Sequence, residues 1–110
     1  MTSRNQKKII FTKHFIEKAI LKGVFDKCGF ENGKKITEDA IKFFGVIIAD
    51  EKGKKCDFKC IFMLPNRKLI TVPITEENDV FIAKTIFPSQ QPDINEYKKF
   101  VKDLKENDQI

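Results

Sequence analysis

The chain has 110 residues, 41% apolar and 34% charged, with a formal net charge of +5 and a pI near 9.1. That length supports one hydrophobic core rather than two, so a single domain over 1–110 is predicted; eleven phenylalanines argue against a disordered chain. No apolar run approaches the roughly 18 to 20 residues that span a bilayer and no secretory pattern opens the sequence, so the cytoplasm is expected and a membrane partner is not. The excess of 21 Lys plus Arg over 16 Asp plus Glu permits an anionic partner without demanding one, since only Arg4 and Arg67 are arginines.

Residues 1–7 are polar and expected to be flexible. The run "KKIIF" at 7–11 is short, apolar and β-branched, which predicts a strand. Thr12 is placed to cap a helix whose Phe15, Ile16, Ala19 and Ile20 share one apolar face and which ends at Gly23. The stretch "FDKCGFENGKK", 25–35, reads as a loop because of its two glycines and its Asn-Gly pair. Thr37 then caps a second helix through "EDAIKFF", with Glu38 and Asp39 in its first turn, and the two helices are expected to form a hairpin.

After a turn at Gly53 the period changes to two. Cys56, Phe58, Cys60, Phe62 and Leu64 alternate with Asp57, Lys59, Ile61 and Met63; then Ile70, Val72 and Ile74 alternate with Leu69, Thr71, Pro73 and Thr75. "PNRK" turns between these strands, and "EEND" leads to a third, "VFIAKTIF". The result is an antiparallel meander with Phe58, Phe62, Val72 and Ile82 facing the two helices and with Pro73 at a local edge or a bulge. "PSQQP" breaks the sheet, and Asp93 caps a last helix whose Ile94, Tyr97, Val101 and Leu104 form its packing face. The fold class is therefore α+β: short N-terminal strand, two-helix hairpin, three-stranded antiparallel meander, C-terminal helix over 89–110.

Cys56 and Cys60 lie about 13 Å apart along a strand, too far for a disulfide or for one zinc ion, and Cys28 stands alone. With a single histidine and no cysteine cluster, no metal and no cofactor are expected.

The words "FTKHFIEKAILKGV", "ITEDAIKFFG" and "KLITVPITEENDVFIAKTIFP", in this order, resemble the RelE-like superfamily of small bacterial toxins, in particular its BrnT-type members. The resemblance covers 8–88. The chain carries Lys18 and Lys22 where relatives tend to have Arg, its only sheet-region arginine is Arg67 in a turn, and 25–35 looks like an insertion. The resemblance implies a toxin of a toxin–antitoxin or related system that cleaves RNA without a metal, the ribosome being one place of action, and that pairs with a neutralising protein. Attack by a 2′-hydroxyl requires a base, an acid and cations on the transition state. It points to His14, Lys59 and Lys84 as catalytic and to Lys13, Lys18, Lys22 and Arg67 as RNA-binding.

Plainer readings stand beside these. His14 is also a helix-start residue, Lys59 an exposed cross-strand partner, and Arg67 a solvated turn residue. Lys84 interrupts an apolar run beside Val80, Ile82 and Ile86, where it either snorkels at a sheet edge or enters a functional face. Tyr97 reads as core packing. The alternative to a ribonuclease is a non-catalytic nucleic-acid-binding module, or a protein-interaction module of the antitoxin or immunity type.

Overall fold

In a computed structural model, which describes residues 6–49 and 56–108, the apolar run after Lys7 forms β1, Lys8–Phe11. Thr12 then starts α1, Lys13–Leu21, by accepting the Phe15 N–H at 3.1 Å. The helix closes with Gly23 at φ 61: its N–H bonds the Ile20 carbonyl and that of Val24 the Ala19 carbonyl, so the last turn loses few bonds. Phe15 and Ala19 are buried, but Ile20 is 66% exposed and falls outside the apolar face expected for it. One residue is about 100° of helix, which carries Ile20 away from the line through Phe15 and Ala19.

The stretch read as a loop is largely helical. α2, Phe30–Asp39, begins well before Thr37, which is therefore an interior residue: its buried hydroxyl donates to the Gly33 carbonyl at 2.8 Å instead of capping. Asn32-Gly33 misleads as a turn signal because Gly33 serves packing. A Cβ there would run into the Phe25 ring, so its absence lets Phe25 lie directly on α2. A π-helical segment, Ala40–Phe44, continues α2, and Gly45 closes it with its N–H on the Ala40 carbonyl at 2.7 Å.

Next comes β2, Val46–Ala49, a strand absent from the expected meander; its four residues are too few to display a period. The predicted turn at Gly53 lies outside the described residues. The meander follows as β3, Phe58–Met63, β4, Leu69–Glu77, and β5, Val80–Ala83, with a two-residue β6, Phe87–Pro88. The sheet order is β1-β5-β4-β3-β2, with β6 also on β4; β1 runs parallel to β5 and the other pairs are antiparallel.

Pro73 sits inside β4, at a bulge in the neighbouring strand. Residues 74–77 pair with β5 and 70–71 with β6, so the three residues 84–86 lie opposite the two residues 72–73. The Pro73 carbonyl accepts the Lys84 N–H at 3.2 Å, on the side where the missing proline N–H would also point. The bulge reverses side-chain parity. Phe81, Ala83 and Ile86 enter the core, whereas Ile82, paired with Thr75 and Ile10, looks the other way, contrary to the expectation that it faces the helices. Phe58, Phe62 and Val72 do face them.

The opposite face buries Val46, Ile61 and Thr71, over which lies α3, Gln91–Asp108. Asp93 falls inside the first turn of α3, which begins at Gln91, rather than at the cap position expected for it. Its carboxylate, 8% exposed, accepts from Lys59 Nζ at 2.8 Å and from the Thr71 hydroxyl at 3.0 Å, while Thr71 also shares a 2.8 Å bond with Ser89. At the other margin Lys7 belongs to the folded body rather than to a flexible tail: it is buried, paired with Glu76 and Asp79, and rests on the Phe81 ring. Residues 1–5 lie outside the described residues. Cys28, Cys56 and Cys60 are not joined in disulfides, and among the described residues no helix is long and apolar enough to cross a membrane.

Candidate nucleic-acid interface

His14, Lys18 and Lys22 are spaced four apart on α1, so they form one slowly turning stripe that rises about 6 Å per step. The apolar residues Phe15 and Ala19 press α1 onto the sheet, which leaves this stripe on a flank. His14 and Lys22 are exposed and Lys18 is half-buried.

Both ends of the helix are held against the strand that breaks at the bulge. At the N-terminal end the Thr12 N–H donates to the Ala83 carbonyl at 3.2 Å and its hydroxyl to the Lys84 carbonyl at 3.0 Å. At the C-terminal end the Lys22 ammonium stands 5.5 Å from the centroid of the Phe87 ring. Residues 83–87 therefore run beside α1, and exposed Lys84 stands at the start of this path. β1 ends opposite Ala83, so the path follows a stretch of sheet edge that β1 does not cover.

The charges agree with their places on the helix. Lys18 lies in the last turn and Lys22 at the C-cap, where the helix dipole favours positive charge. The single acid of α1, Glu17, lies 3.9 Å from Lys13 and, three residues after His14, borders the stripe at its N-terminal end. Phosphates along this path would meet the ammonium groups of Lys18, Lys22 and Lys84 and the imidazole of His14.

The other expected site residues lie elsewhere. Lys59 is on the α3 face of the sheet, bonded to Asp93, so the structure does not bring it to His14 and Lys84. Lys13 lies about 100° round the helix from His14, beside Glu17. Arg67 is exposed in the turn between β3 and β4, at φ 68, its N–H on the Leu64 carbonyl at 2.8 Å. Phe87 was not singled out by sequence reasoning. Its available signal is an aromatic residue directly after a strand that carries a lysine. An open cleft between β2 and α3, lined by Val46, Ile48, Glu96, Lys99, Phe100 and Asp103, mixes both signs of charge with apolar surface and gathers no comparable basic path.

No family model, no curated protein and no solved structure matches this chain.

Proposed function

We propose that the chain is a RelE-like domain that binds RNA along the His14, Lys18, Lys22 and Lys84 flank and cleaves it without a metal. What supports this reading is that His14 and Lys18 on α1 and Lys22 at its C-cap are spaced four apart, and that the strand carrying Lys84 is tied to the start of that helix through the Lys84 carbonyl. In the reaction, His14 moves the proton of the attacking 2′-hydroxyl or of the leaving oxygen, and the lysines stabilise charge on the phosphorane-like transition state. Lys59 is assigned to holding α3 through Asp93 instead of to the chemistry. The protein acts in the cytoplasm and is restrained by a neutralising partner protein.

The test is RNA binding and cleavage by the purified chain, with salt varied. Three phosphate contacts predict a log–log salt slope of about −2, at about −0.7 per contact on a single strand. Lys18→Glu with Lys22→Glu should abolish binding, and His14→Ala should lower cleavage about 10²- to 10⁴-fold while changing stability by no more than about 0.5 kcal/mol. Absence of binding at low salt would sink the proposal in favour of a protein-interaction module. Binding without cleavage would leave the non-catalytic module, a reading favoured by Lys59 lying away from the flank.

A further inference from the structure

We infer that the Phe87 ring is a stacking platform for one unpaired base, covered by Lys22 when no nucleic acid is bound, so that the flank selects single-stranded over duplex RNA. This rests on the RNA reading above and adds the ligand's strandedness to it. β6 is only two residues long and pairs with β4 alone, so Phe87 lies at the rim of the sheet, past the end of β5. Its register with Thr71 turns the ring to the face that carries α3, and Lys22 reaches it from the end of α1.

The ring is half-buried, and its seat is well tied. The Ser89 N–H donates to the Leu69 carbonyl at 2.9 Å, and the Ser89 hydroxyl shares a hydrogen bond with Thr71. Half-burial alone does not set Phe87 apart, since Phe11, Phe30 and Phe58 are also half-buried and Phe11 has Lys34 over its ring; but those three pack on the core cluster and Phe87 does not belong to it. The exchange on binding is chemically even-handed. A base takes the place of the ammonium on the π-face, and the released ammonium turns to the phosphate of that nucleotide. Exposed cation–π contacts are weaker than base–aromatic stacking, so the exchange favours the base. A duplex keeps its bases stacked inside and can offer the ring none.

The experiment compares three probes at low salt: a short single-stranded RNA, the same sequence as a duplex, and an abasic backbone of the same length. The wild-type chain should bind the single strand most tightly. Phe87→Leu, which keeps apolar bulk without a π-face, should weaken single-strand binding about 5- to 150-fold, down to the level of the abasic probe, and leave abasic binding unchanged. Phe87→Tyr should restore the preference, and circular dichroism should show all three proteins folded alike. Equal wild-type binding of single-stranded and abasic probes, or a Phe87→Leu protein that binds as the wild type does, overturns the stacking role while the basic path stands. Failure of the wild type to bind any of the three overturns the path and the platform together.

Discussion

On the face toward α1 and α2, Phe15, Ile41, Phe62, Ile70, Val72 and Ile74 are each at most 1% exposed, and the contacts are those of apolar side chains. On the opposite face the burial of Ile61 is shared with Thr71 and Asp93, and one carboxylate joins β3, β4 and α3. Apolar packing is spread over many contacts and loses stability in proportion to the volume removed. A buried polar junction concentrates its effect, because removing one partner leaves the others desolvated and unpaired. The core face should therefore set global stability, and the polar junction should set the attachment of one helix.

The largest effect should come from Phe62→Ala, at about 3–5 kcal/mol by cavity formation, close to the whole stability of a small domain. Denaturant unfolding measures it, and a loss under about 1 kcal/mol would contradict the packing described. Asp93→Ala should cost about 1–3 kcal/mol by removing the buried carboxylate that accepts from both Lys59 and Thr71. Its signature should be local: hydrogen exchange should speed up in α3 while α1 and α2 stay protected. A uniform rise across the chain would erase the distinction between the two faces. Gly33→Ala should be a net loss of about 1 kcal/mol, because overpacking against Phe25 outweighs the gain of about 1 kcal/mol in helix propensity. A stabilised Gly33→Ala protein would mean that Phe25 yields easily.

Legibility in the sequence follows the same division. The meander could be read because β3 and β4 place Phe58, Phe62, Ile70, Val72 and Ile74 at even-numbered positions on one face, and the cap at Thr12 because its chemistry is local. Parity in β5 could not, because "VFIA" is apolar at every position and the bulge opposite Pro73 is a property of the pair of strands. α2 was hidden by Asn32-Gly33, whose meaning depends on Phe25, a residue that only the fold places against it. Of the proposed interface, the spacing of His14, Lys18 and Lys22 is visible along the chain. What brings Lys84 and Phe87 to it is the seating of α1 beside residues 83–87, a tertiary contact. Lys59 was misplaced for a related reason: an acid on a later helix supplies its partner.

The smallest effect tests the second ion-pair cluster, at the margin of the core face. Lys7 is itself buried, but its partners Glu76 and Asp79 are 41% and 80% exposed, unlike the carboxylate of Asp93 at 8%. Water and salt should therefore weaken this cluster more than the one under α3. The hydrogen-bonded Glu76 carboxylate raises the Lys7 pKa above its ordinary 10.5, with Asp79 adding to the rise and burial opposing it. A raised folded-state pKa means that the folded protein holds the proton more tightly than the unfolded chain. The contribution is thus fully present below pH 10.5 and is lost as the pH climbs through the higher folded-state value. Many lysines titrate in that range, so the informative quantity is the stability gap between the wild type and Lys7→Met. It should hold steady from neutral pH to about 10 and close above that. A gap that stays open through the alkaline range would show that Lys7 acts by packing on Phe81 and not by its charge.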